Sequence, residues 1–123
     1  MAKTILVVDD SSTMRQQVSM ALKQAGFATL EADDGRQGAA KIAANRSISM
    51  VICDVNMPHM NGLEMVEQVK SKPEHKALPI LMLTTEGQAT LIKRAKQAGA
   101  VGWIVKPFDA NQLIQTVRHL VGT

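Results

Sequence analysis

Tyrosine is missing from this chain of 123 residues, and the other aromatics amount to two phenylalanines and one tryptophan, Trp103. A core must therefore be filled by aliphatic residues and by the eight methionines. The single cysteine, Cys53, has no partner for a disulfide. It lies inside an apolar run, reads as a small buried hydrophobe and suits a reducing compartment. No apolar stretch is long enough to span a bilayer, and Met-Ala-Lys-Thr leads straight into Ile-Leu-Val-Val without the pattern of a signal peptide. A cytoplasmic protein with no membrane insertion is expected. Neither G-x-x-x-x-G-K-[ST] nor G-x-G-x-x-G occurs, which argues against a mononucleotide, dinucleotide or flavin site. The net charge of +3 is modest and no basic stripe is interleaved with aromatics, so direct nucleic-acid binding is not expected. His59, His75 and His119 fall in separate segments without metal-ligand spacing and read as surface residues. No linker or low-complexity run divides the chain, so one domain over residues 1–123 is expected.

What is present is a strict alternation. Ile5-Leu6-Val7-Val8, Met50-Val51-Ile52-Cys53 and Ile80-Leu81-Met82-Leu83 are unbroken apolar runs, the pattern of strands buried on both faces of a parallel sheet. Residues 28–32 alternate as an edge strand with one wetter face, and residues 101–105 supply a fifth strand. Helical spacing fills the intervals. The first helix, capped by Ser11, Ser12 or Thr13 and ended by Gly26, turns Met14, Val18, Ala21, Leu22 and Ala25 inward. The second, after Asp33-Asp34-Gly35, carries Ala39, Ile42 and Ala43 inward. The third buries Leu63, Val66 and Val69 and points Glu64, Glu67 and Lys70 outward. The fourth sets Leu91, Ile92, Ala95 and Ala98 against an exposed arc of Lys93, Arg94 and Lys96. The last repeats the spacing at Ala110, Leu113, Ile114, Val117, Leu120 and Val121. Five strand–helix units in this order mean an α/β protein with a doubly wound, five-stranded parallel sheet.

In open sheets of this kind ligands bind at the carboxyl ends of the strands. Strands one, three, four and five end at Asp9-Asp10, Asp54, Thr84 and Lys106. Each residue has an ordinary alternative role: the acidic pair favours a helix N-terminus, Asp54 opens a turn before Pro58, Thr84 caps, and Lys106 is a solvated lysine. Taken together they form one site. Three carboxylates cannot share a small volume ionised without a counter-charge. A hard divalent cation such as Mg²⁺ supplies it, typically through one or two carboxylates plus water and phosphate oxygens. A neighbouring ammonium is a point charge suited to a phosphoryl group, and a hydroxyl can donate to one. Phosphoryl transfer relies mainly on such positioning and neutralisation, and an Asp carboxylate can itself be the acceptor, giving an acyl phosphate.

In combination, Val-Val-Asp9-Asp10, Asp54-x-x-Met-Pro58-x-x-x-Gly62, Thr84 after the fourth strand and Lys106-Pro107-Phe108 after the fifth resemble the receiver domains of two-component response regulators. Among these the chain is most similar to the single-domain chemotaxis regulators, over essentially its whole length. The resemblance implies a flavodoxin-like sheet of strand order 2-1-3-4-5 and no output domain. It implies that Asp54 accepts a phosphoryl group from the phosphohistidine of a sensor histidine kinase. Asp10, Asp54 and the backbone carbonyl of Asn56 would hold Mg²⁺, with Asp9 acting mainly through water. Thr84 and Lys106 would contact the phosphoryl oxygens, across a cis Lys106–Pro107 bond, and Asn56 and Glu86 would tune dephosphorylation. Thr84 and Trp103 would form the switch, with Trp103 facing out toward the fourth helix until phosphorylation lets it turn in. Such a protein catalyses only its own phosphorylation and dephosphorylation. Its signal would leave through the face of helix four, strand five and helix five, toward the flagellar motor switch or another acidic protein surface. Three positions depart from the chemotaxis pattern: Val55 replaces a tryptophan, Ser11 a phenylalanine, and Trp103 the usual tyrosine or phenylalanine. Lys93, Arg94 and Lys96 also make helix four more basic. A phosphatase of the haloacid-dehalogenase type would need an Asp where Asn56 stands and a nucleophile after the first strand. A receiver that acts only as an unphosphorylated binding module would usually lack one of the site residues, all of which are present.

Overall fold

The computed structural model describes residues 2–122. Five strands, β1 (Thr4–Val8), β2 (Ala28–Ala32), β3 (Ile48–Cys53), β4 (Ile80–Thr84) and β5 (Gly102–Val105), alternate with five helices, α1 (Ser12–Gln24), α2 (Gly35–Ala44), α3 (Gly62–Lys70), α4 (Ala89–Ala98) and α5 (Ala110–Val121). A single 3₁₀ turn at Pro73–His75 precedes β4. Every strand pair is parallel and the order is β2-β1-β3-β4-β5, as expected. The chain steps from β1 to β2 on one side and then places β3 on the other, so the crevice between the carboxyl ends of β1 and β3 is the switch point of the sheet.

The unbroken apolar runs follow from covering both faces. Side chains alternate across a strand, so Leu6, Val8, Val51, Cys53, Ile80 and Met82 pack beneath α2, α3 and α4 with Ile42, Leu63, Val66 and Ala95. Ile5, Val7, Met50, Ile52, Leu81 and Leu83 pack beneath α1 and α5 with Val18, Leu22, Leu113 and Val117. Polar residues set the helix starts. Ser11 accepts from the Met14 N–H at 3.2 Å, Asp34 from Gln37 at 2.9 Å and Asp109 from Gln112 at 3.0 Å. Asn61 and Glu64 form a reciprocal capping box at the head of α3. The Lys106–Pro107 peptide is cis, as the resemblance implied.

Four local expectations are corrected. Ala43 is exposed, and the inward stripe of α2 runs through Gly35, Gly38 and Ile42. A Cβ on Gly38 would lie 2.8 Å from Met65 Sδ and 3.1 Å from Val8 Cγ2, inside ordinary van der Waals contact, so the bare glycine lets α2 pack closely on α3 and the sheet. Lys70 does not point into solvent. Its ammonium donates to the carbonyls of His75 and Lys76, each at 3.0 Å, and to that of Leu78, because the 3₁₀ turn and the residues after it point these acceptors back at the end of α3. Burial holds the Lys70 pKa below its ordinary value. The fifth strand begins at Gly102, and Val101 is 51% exposed. In β2 burial deepens along the strand, from exposed Ala28 to buried Ala32, instead of alternating.

Candidate functional site

The sheet ladder runs one residue beyond the strands at the switch point. Asp54 N–H donates to Val8 O at 2.9 Å and Asp9 N–H to Ala32 O at 3.1 Å, which fixes both acidic residues at the sheet edge. Asp9 and Asp54 are buried, 4% and 8% exposed, whereas Asp10 is open to solvent. One carboxylate oxygen from each of the three lies within 4.8 Å of the others. Lys106 reaches across from the end of β5, its Nζ 2.7 Å from Asp9 Oδ2 and 3.4 Å from Asp54 Oδ2. The remaining oxygens have backbone donors: Ser11 N–H to Asp9 Oδ1 at 2.9 Å and Val55 N–H to Asp54 Oδ1 at 2.7 Å. Burial pushes the Asp9 carboxyl above its usual range. The Lys106 ammonium and the Ser11 N–H oppose that rise, and the Asp54 charge adds to it. One ammonium against three carboxylates leaves the crevice short of positive charge, and the hard oxygen donors suit Mg²⁺. Lys106 lies nearest to Asp9, a pairing that strand-end reasoning did not supply.

The loop that follows β3 is held by close packing. A Cβ on Gly62 would sit 1.9 Å from Asp54 O and 2.9 Å from Asp54 C, so only glycine lets the head of α3 lie against the backbone of Asp54. Cys53, just before it, is fully buried and its thiol donates to Asp54 O at 3.2 Å. Burial, with the charges of Asp54 and Asp9, raises the thiol pKa far enough to keep it neutral.

Thr84 is fully buried at the end of β4. Its carbonyl accepts from Lys106 N–H at 2.7 Å and its Oγ1 from Glu86 N–H at 3.3 Å. Asn56 Nδ2 donates to Glu86 Oε1 at 2.6 Å and joins the loops after β3 and β4. That bond, and a second from Gln88, lower the Glu86 pKa. Trp103 is half-buried on the α4 side of the sheet, as its strand position required. It is also already anchored, with Nε1–H donating to Glu86 O at 2.8 Å. The family resemblance marked Asn56 and Glu86 as site residues, but nothing in the sequence pairs them with each other or with Trp103.

The basic arc of α4 is split. Arg94 forms a two-pronged ion pair with Glu67 of α3, Nη2–Oε1 2.9 Å and Nε–Oε2 3.2 Å, and so faces away from β5. Lys96 lines an open hollow of about 250 Å³ with Ile92, Ala95, Ala100, Val101, Gly102 and Trp103. His59 is exposed with φ 67°, His75 is half-buried at the 3₁₀ turn and His119 is exposed on α5. None of them joins the acidic cluster.

The family model for the response regulator receiver domain matches residues 5–118. The chain belongs to the response regulator receiver domain family. This receiver domain is 42% identical over 120 residues to the chemotaxis protein CheY1 of Helicobacter pylori, covering 97% of each chain. Chemotaxis protein CheY4 of Vibrio cholerae, a solved structure, matches it with TM-score 0.91 and 42% identity over 98% of this chain and 99% of that one. A CheY–CheX complex with BeF₃ and Mg²⁺ from Borrelia burgdorferi matches with TM-score 0.88 and 27% identity, covering 95% of this chain and 87% of that one. Among the described residues of the receiver domain no helix is long and apolar enough to cross a membrane.

Proposed function

We propose that Asp54 is the phosphoacceptor of a stand-alone response regulator in a chemotaxis-type pathway, loaded from the phosphohistidine of a sensor histidine kinase in a Mg²⁺-dependent reaction. The observation that carries this is the gathering of Asp9, Asp10 and Asp54 within 4.8 Å at the switch point with Lys106 between two of them. The full-length similarity to CheY proteins supports the pathway. Asp54 Oδ1 is occupied by the Val55 N–H, which leaves Oδ2, on the Lys106 side, to attack phosphorus. The Oδ2–P bond forms as the bond to the donor imidazole nitrogen breaks, its electron pair leaving with the ring. Lys106 neutralises charge on the transferring oxygens. The Thr84 hydroxyl turns from the Glu86 N–H to donate to a phosphoryl oxygen, which draws in the loop after β4 and with it Glu86 and Trp103. Asp9, Asp10, Asp54 and the backbone carbonyl of Asn56 would hold Mg²⁺, which when bound supplies positive charge to the phosphoryl oxygens.

The reading is tested by melting the protein with Mg²⁺ alone and with Mg²⁺ plus beryllofluoride, a mimic of the acyl phosphate. At saturating Mg²⁺ the stabilisation is RT ln(1 + [L]/Kd), about 1–3 kcal/mol for concentrations ~10–100 times Kd. The Mg²⁺ gain is expected to shrink strongly in Asp10→Asn. The further gain from beryllofluoride is expected to vanish in Asp54→Asn. Equal gains in wild type and both variants would remove these residues from the site.

We place the output surface on α4, β5 and α5, docking an acidic partner such as the flagellar motor switch. Lys96 borders the Trp103 hollow, whereas Arg94 is engaged by Glu67. Lys96→Glu is therefore expected to weaken binding of the phosphorylated protein to the motor-switch protein of the same organism at least tenfold, and added salt to weaken it further. Arg94→Gln is expected to change affinity less than about twofold, since exposed pairs contribute little. Titration calorimetry that gave the two variants equal losses would contradict this assignment.

A further inference from the structure

Asn56 and Glu86 close a strap between the loop that follows the acceptor strand and the loop that follows β4. On the reading above, a phosphoryl group on Asp54 Oδ2 projects from the sheet edge between these two loops. Water that attacks phosphorus opposite the Oδ2–P bond must then enter through the gap the strap spans. In that hydrolysis the water oxygen bonds to phosphorus, the P–Oδ2 electron pair returns to the Asp54 carboxylate and a water proton leaves to solvent, giving inorganic phosphate.

Before phosphorylation Glu86 is fixed from three directions, of which the Thr84 contact is given up when that hydroxyl turns to the phosphoryl group. Its carboxylate meets Asn56 at 2.6 Å, its N–H meets Thr84 Oγ1 at 3.3 Å, and its carbonyl accepts from the Trp103 indole at 2.8 Å. The indole bond is the one made from β5, and it is short where the Thr84 bond is long. Its ring packs on the core on one side and lines the open hollow beside Ile92 and Lys96 on the other.

We propose that Trp103 is a positioning residue for hydrolysis of the acyl phosphate: through Glu86 its indole N–H keeps the Asn56–Glu86 strap closed over phosphorus and so lengthens the life of the phosphoryl group.

Wild type, Trp103→Phe, Asn56→Ala and the double variant would be loaded with acetyl phosphate and Mg²⁺ and freed of donor, and loss of the adduct followed by intact mass. The phenylalanine keeps an aromatic six-membered ring but removes the N–H together with the five-membered ring that carries it, and Asn56→Ala keeps the backbone carbonyl. Trp103→Phe is expected to speed decay about two- to tenfold, the scale of one neutral hydrogen bond. In the Asn56→Ala background the same substitution is expected to change nothing further, because the strap is already open. Unaltered decay in Trp103→Phe, or equal acceleration in both backgrounds, would overturn the inference. A wild-type protein that takes no adduct would overturn the acceptor reading, and the inference with it.

Discussion

Gly62→Ala is expected to lower the melting temperature by about 10 °C, from a loss of ~3 kcal/mol at the upper end of overpacking costs in a domain of this size. The new methyl carbon would lie 1.9 Å from Asp54 O, and that atom belongs to backbone, so no rotamer change relieves the clash. Either α3 moves off the sheet or the end of β3 is pushed toward the crevice. The first course breaks the bond from Gly62 N–H to Val55 O at 2.9 Å and opens the layer around Leu63 and Val66. The second moves Asp54 relative to Lys106. The variant should therefore lose phosphorylation rate as well as stability, measured by loading at a temperature well below its own melting point. Gly87, on the other loop of the site, is the control. Its nearest neighbour would be Val105 Cγ2 at an ordinary 3.6 Å, so Gly87→Ala should melt within about 1 °C of wild type.

Lys106→Ala is expected to slow adduct formation about 10²–10³-fold, the range seen when one preorganised electrostatic donor is removed from an active site. Its side chain is 9% exposed with Nζ between Asp9 and Asp54, so on the proposed transfer to Asp54 the ammonium would stand beside the charge that develops on the transferring group. Lys106→Arg should rescue little, because a planar guanidinium does not fit a site built around a compact point charge. Removing the ammonium also unmasks two carboxylates, so the metal-free variant should be destabilised by repulsion between them. The same change frees oxygens that Lys106 occupies, and the gain in melting temperature with Mg²⁺ should be kept or enlarged. A variant that loses both phosphorylation and the Mg²⁺ response would show instead that Lys106 shapes the whole pocket.

Most of the architecture was legible because burial on both faces leaves no polar position in a strand. Ile5–Val8, Met50–Cys53 and Ile80–Leu83 could hardly be anything else, and the polar residues that end them necessarily fall on one edge. Glycine was the blind spot in α2: an apolar pattern counts Ala43 and passes over Gly38, although the absent side chain is what brings the helix against Val8 and Met65. Charged residues on helices were the other. Lys70 and Arg94 share the spacing of solvent-facing residues, yet one is drawn to three backbone carbonyls and the other to Glu67 across the α3–α4 groove. Glu67 lies 27 positions from Arg94, and the acceptors of Lys70 lie past the end of its helix, so neither pairing shows in the helical pattern. The same holds for the bonds joining Asn56, Glu86 and Trp103, which link residues 17 to 30 positions apart.

The acceptor assignment itself is tested most directly by intact mass after incubation with acetyl phosphate and Mg²⁺. The account predicts one added phosphoryl group on wild type, lost on treatment with hydroxylamine as an acyl phosphate must be, and no adduct on Asp54→Asn. An adduct that resists hydroxylamine, or one that forms equally on Asp54→Asn, would contradict it.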